Sequence, residues 1–92
     1  SMTFSFAIIY EEQIISSSKY KTKYLRRAGG TYTNTSGSTG GVIHPKFATV
    51  KVIQITPNAT GDHYGTITTA GSGFTLTTAA DQDGWWTMEG YK

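Results

Sequence analysis

Ninety-two residues make one domain with a small core, since a chain this short buries only about 60–65% of its unfolded surface. The absence of cysteine excludes disulfide and thiolate–metal staples. A net charge of +2 with 15% charged residues is a smaller basic excess than nucleic-acid binders of this size carry.

Ser1 ahead of Met2 reads as a protease-cleavage scar before the natural start. No basic segment follows Met2. The apolar run Phe4 to Tyr10 is interrupted by Ser5 and stopped by Glu11 and Glu12. It is too short for a membrane span and poorly formed for a signal peptide, so synthesis in a cytoplasm and no membrane partner are expected.

Phe4, Phe6, Ile8 and Tyr10 share one parity, the period-two pattern of a half-buried strand. Gln13-Ile14-Ile15 extends it after a kink, and Ser16-Ser17-Ser18 reads as a turn. From Lys19 to Thr33, Tyr20, Thr22 and Tyr24 fall on one face and Lys19, Lys21 and Lys23 on the other. Gly29-Gly30 predicts a bulge or bend in that run before Thr31-Tyr32-Thr33 resumes as strand. Asn34 to Gly41 is a loop of small residues.

Phe47 to Thr56 is the strongest strand. Val50 and Val52 share one parity, yet Ile53 and Ile55 then appear on the face of Lys51. Either the strand end is buried on both faces or a bulge flips it. If exposed, Ile53 and Ile55 form an apolar patch that a homo-oligomer would bury, and they are the candidate oligomer interface. Pro57-Asn58 and Gly61-Asp62 are turn chemistry. Tyr64 to Thr69 and Phe74 to Thr78 read as a hairpin across Ala70 to Gly73. Asp81 to Gly84 is a turn, and Trp85 to Tyr91 is a last strand with Trp86 and Met88 directed to the core. The expected fold is all-β: one domain over residues 1–92, an antiparallel β-sandwich or small barrel of six to seven short strands with little or no helix.

Motifs for chemistry are weak. Gly37-Ser38-Thr39-Gly40-Gly41 lacks the Gly-Lys-Ser/Thr ending of a phosphate loop and reads as a strand connection. His44 and His63 each sit in a turn without further ligands nearby and read as solvated loop histidines. Asp81-Gln82-Asp83-Gly84 echoes the start of a calcium loop, but its twelfth position is Lys92, so a turn with Asx hydrogen bonds explains it. Asn34-Thr35-Ser36 and Asn58-Ala59-Thr60 match the glycosylation triplet, as chance allows in a Ser/Thr-rich chain. Nothing resembles a nucleophile elbow, and no cofactor, metal site or enzymatic activity is expected. The one charged surface is the cluster Lys19, Lys21, Lys23, Arg26 and Arg27. It reads either as an edge-protecting face or as a contact for an acidic protein surface, with nucleic acid disfavoured.

Three segments carry a resemblance: Gly30-Thr31-Tyr32-Thr33-Asn34, Ser38-Thr39-Gly40-Gly41, and Asp81-Gln82-Asp83-Gly84-Trp85-Trp86 followed by Gly90-Tyr91. In this order the chain resembles small structural proteins of tailed bacteriophages and prophages. Ser38 stands where that pattern has an acid, and His44-Pro45-Lys46 replaces its usual lead into the strand. The resemblance implies a virion component made in the bacterial host cytoplasm: a head decoration or accessory protein, or a tail-associated one. Its partners would be capsid or tail proteins and further copies of itself, most simply as a trimer. The competing expectation is a β-sandwich binding module for a glycan or host receptor, with Trp85 or Tyr91 beside Asp83 as the sugar platform.

Overall fold

Alternation of apolar and hydroxyl-bearing residues, broken by glycine-rich turns, produces strands and no helix among the described residues. The structure is a computed structural model that describes residues 2–14, 25–68 and 71–91. Among these residues the strands are β1 (Thr3–Gln13), β2 (Leu25–Thr35), β3 (Gly40–Ile43), β4 (Thr49–Pro57), β5 (Tyr64–Ile67), β6 (Phe74–Thr77) and β7 (Gly84–Tyr91). They pair antiparallel in a four-stranded sheet, β1-β2-β7-β4, and a three-stranded sheet, β3-β6-β5. The architecture is that of a small β-sandwich.

The core lies between the sheets. Tyr32 and Ala28 from β2, Trp86 and Met88 from β7, and Val50 from β4 meet Ile43, Phe74 and Leu76 from the smaller sheet, with Phe47 closing one side. Trp86 is fully buried, and the rings of Phe6 and Phe74 meet it edge-on at 6.3 and 6.0 Å between centroids. Its indole N–H donates to the carbonyl of Thr31 at 3.1 Å, which satisfies the one polar atom that its burial removes from water. The expected inward parity of Trp86 and Met88 and the β5–β6 hairpin are both present.

Two irregularities mark the larger sheet: the first differs from the sequence expectation, and the second decides between its two readings. Strand β2 runs unbroken through Gly29 and Gly30, and the bulge lies in its neighbour, where β1 slips register between Ile8 and Tyr10. A Cβ on Gly30 would run into the carbonyl of Ala7, so glycine there allows the two backbones to approach. Phe4 and Phe6 therefore pack against the core, while Ile8, Ile9 and Tyr10 beyond them are exposed.

The second irregularity is in β4, which slips register between Val50 and Val52 against β7. Lys51 is the extra residue. Val50 is buried, Val52 faces out, and Ile53 and Ile55 turn inward to pack against the core. The outward apolar patch expected of Ile53 and Ile55 is therefore absent, because one bulged residue moves both side chains to the other face.

Candidate functional site

The glycine-rich stretch between β2 and β3 is a tight connection between the two sheets. Ser36 and Gly37 both adopt positive φ (55° and 86°), and the N–H of Ser38 donates to the carbonyl of Thr35 at 3.1 Å. That is the backbone pattern of a type I′ turn. It folds Ser38 and Gly40 back onto Asn34, the last inward-facing residue of β2.

Asn34 is buried and organises this end of the sandwich. Its side-chain oxygen accepts from Ser38 Oγ at 2.8 Å and from the Gly40 N–H at 2.9 Å. Its amide nitrogen donates to Thr78 Oγ1 at 3.1 Å and to the carbonyl of Gln82 at 2.6 Å. All four hydrogen-bonding positions of one amide are thus occupied by groups from three segments. Two carboxylates complete the junction: Asp83 Oδ1 accepts from the Asn34 N–H at 3.0 Å, and Asp81 Oδ1 from the Gly37 N–H at 2.7 Å. These bonds differ from the local Asx bonds expected of the Asp81–Gly84 turn: they reach across the fold to the end of β2 and to the β2–β3 turn. The amide saturated in this way also closes the first glycosylation triplet to any modification of the folded protein.

Beside this hub lies a contact that the sequence did not announce. Tyr32, buried in β2, donates its hydroxyl to Nδ1 of His63, and His63 Nε2 donates to Gln82 Oε1 at 2.8 Å. Gln82 Oε1 also accepts the Gly61 N–H at 3.2 Å. His63 is therefore a half-buried bridge between loops, not a solvated loop residue, and both of its ring nitrogens are engaged by protein groups. Burial, helped by the negative charge of Asp83, pushes the Tyr32 hydroxyl up to about 12. The phenol stays neutral and remains a donor over the whole physiological range. His44 matches its expectation better: it is exposed, with its ring 6.4 Å from that of Phe6.

Of the basic cluster, Lys19, Lys21 and Lys23 lie outside the described residues. Arg26 and Arg27 lie at one end of the four-stranded sheet on opposite faces, and acids of the same chain neutralise both. Arg26 Nε meets Glu11 Oε1 at 3.2 Å; Arg27 donates to Glu89 at 2.8 Å and to Glu12 at 3.4 Å. The hydrogen bond that Arg27 donates to Glu89 raises Arg27 further above its ordinary value. The two arginines therefore tie β1, β2 and β7 together.

The remaining candidates also separate. Trp85 is 45% exposed on the outward face of β7, whereas Tyr91 is half-buried six positions further along the strand. That is about 20 Å at strand rise, so the two rings cannot hold one sugar ring between them. Asp83, the expected third member, is turned to the hub at Asn34. Among the described residues, no group of three or more His, Cys, Asp or Glu side chains could hold a metal ion. Compared with known proteins, the chain matches no family model, and neither a curated protein nor a solved structure is significantly similar to it.

Proposed function

We propose that the chain is a non-enzymatic structural protein of a phage or prophage virion, a head decoration or accessory protein that attaches to the capsid surface. The observation that carries this reading is the hub at Asn34. Residues from all three segments on which the resemblance rests, up to 49 positions apart, meet there in one hydrogen-bonded unit. Residues that jointly build one end of a fold are what a shared pattern of turns would preserve. A helix-poor sandwich whose buried polar residues Asn34, Ser38 and Thr78 are bonded to one another also suits a part whose work is to be held in place.

The proposed partners are capsid proteins and further copies of the chain. With Ile53 and Ile55 turned inward, self-association falls to β1, an edge strand that exposes Ile8 and Ile9 (48% and 58%). An edge of this length with exposed isoleucines is the kind that proteins cover. Attachment to an acidic capsid surface falls to Lys19, Lys21 and Lys23, because Arg26 and Arg27 are already paired.

The test is quantitative mass spectrometry of purified particles. The chain is expected in a fixed ratio to the major capsid protein, and the double charge reversal Lys21→Glu, Lys23→Glu should lower its occupancy without changing its melting temperature. Particles that lack the chain, or carry it only in trace amounts, overturn the reading.

A further inference from the structure

Alternation along β7 sends Trp86 and Met88 into the core and leaves Trp85, Thr87 and Glu89 on the outward face. Register sets their neighbours. Thr31 and Thr56 flank Trp85, Gly29 and Gln54 flank Thr87, and Arg27 and Val52 flank Glu89. Trp85 therefore stands half-exposed between two threonines, and nothing in the packing of the core requires an indole there. On β1, Tyr10 pairs with Gly29, and its ring covers that glycine so closely that a Cβ would collide with it. Gly29 and Trp85 are diagonal neighbours, roughly 7–8 Å apart on a sheet. Two half-exposed aromatic rings thus share the outward face, Tyr10 over β2 from β1 and Trp85 on β7, among threonine hydroxyls and the amide of Gln54.

We propose that this outward face of the four-stranded sheet binds an uncharged, ribbon-like polysaccharide, with Trp85 and Tyr10 as the stacking platforms. The C–H face of a pyranose ring packs on an aromatic ring, and its rim hydroxyls take donors and acceptors such as Thr31, Thr56, Thr87 and Gln54 present. The charges of the face select an uncharged chain. Arg27 is bonded to Glu89 and Glu12, so an anionic polymer meets two carboxylates around one engaged guanidinium, and a cationic one meets carboxylates already paired. The open run of adjacent strands suits an extended chain. β-1,4-linked polymers of glucose or N-acetylglucosamine are ribbons of this kind, whereas α-1,4-linked glucose coils. The inference is independent of whether the chain rides on a virion.

The experiment titrates the full chain with cellohexaose, chitohexaose and maltohexaose, read by calorimetry and by tryptophan emission. Trp86 is sealed in the core, so a change in emission reports on Trp85. Saturable binding of cellohexaose or chitohexaose with a blue shift is expected, with maltohexaose bound at least roughly tenfold more weakly. Trp85→Ala should abolish the binding at unchanged melting temperature, and Thr56→Ala should weaken it several-fold. Should Trp85→Ala fold poorly, Trp85→Gln takes its place. Failure of both β-1,4 hexamers to bind at millimolar concentration overturns the proposal. So does binding that survives loss of the indole, or equal binding of maltohexaose. If Trp85→Ala instead releases the chain from particles while no sugar binds, the face serves a protein and the proposal is wrong.

Discussion

Tyr32 donates its buried hydroxyl to Nδ1 of His63, which fastens the larger sheet to the loop between β4 and β5. Burial keeps the phenol from water and Asp83 adds its negative charge, and its folded value of about 12 follows from those two causes, burial first. An unfolded tyrosine ionises near 10. As pH rises between these values the unfolded chain gives up its proton first, so alkali favours unfolding. The contribution is complete below pH 10 and is lost as pH rises toward about 12. Urea midpoints measured from pH 8 to 12 should fall across that window, and Tyr32→Phe should flatten the fall that this residue causes. At pH 8 the same substitution should cost about 1 kcal/mol for the lost hydrogen bond.

Asn34 is the most demanding polar site of the fold, because its oxygen and its nitrogen are each used twice. Asn34→Asp keeps the acceptor for Ser38 and Gly40 but cannot donate to Thr78 or Gln82. It also adds a carboxylate close to Asp83. The expected loss is about 2–4 kcal/mol, read as a lower urea midpoint with an unchanged slope. A midpoint equal to that of the wild type would show that the hub does not hold this end together.

Much of this architecture is legible from period two alone. The inward set Trp86 and Met88 and the β5–β6 hairpin follow from parity and turn chemistry, because each rests on residues adjacent in sequence. The bulges are less legible. Gly29-Gly30 does mark a disturbance, but the glycines give way to a neighbour whose own backbone makes the bulge, and parity within one strand carries no record of its partner. In β4 the isoleucines two and four positions after Lys51 leave two readings open, and only packing against Trp86 and Met88 decides between them. The site is less legible still. Asn34, Asp81 and His63 look like ordinary turn residues until the fold brings them together, since long-range polar bonds have no period. The pairing of Arg26 and Arg27 with acids 15 and 62 positions away is hidden for the same reason.

Trp86 carries the largest single share of the core. It is fully buried, meets Phe6 and Phe74 edge-on and satisfies its own N–H at Thr31. Trp86→Ala should cost about 3–5 kcal/mol, much of the stability of a domain this small. Trp86→Phe keeps most of the ring volume and loses the bond to Thr31, so it should fall between the two. Thermal melts of the three proteins check the order, and an unchanged melting point for Trp86→Ala would remove Trp86 from the core.

Gly30 and Gly37 separate two reasons for glycine. At Gly30 a side chain would strike the backbone of Ala7, which cannot move without lifting β1 from β2. At Gly37 the space is open, and only the positive φ of 86° resists substitution. Gly37→Ala should cost about 1–2 kcal/mol of local strain. Gly30→Ala should cost more and expose the β1 amides, so hydrogen exchange in Ala7 and Ile8 should quicken in that variant alone.

Ile9 and Ile53 lie on opposite sides of the larger sheet's packing, one exposed at an edge and the other against the core. Ile53 packs inward, with its Cδ1 close against Gly65 of β5, so an aspartate there buries a charge without a partner. Ile53→Asp should therefore lower stability by about 2–5 kcal/mol, the scale of losing a buried isoleucine. Ile9 is the extra residue of the β1 bulge and is exposed on an edge strand. Ile9→Asp should leave the melting temperature of the isolated fold almost unchanged and dissociate the proposed oligomer. Light scattering over a concentration series distinguishes the two effects. A wild-type chain that is monomeric at high micromolar concentration ends the case for self-association through β1. A folded Ile53→Asp protein with the wild-type melting point would show instead that Ile53 faces solvent.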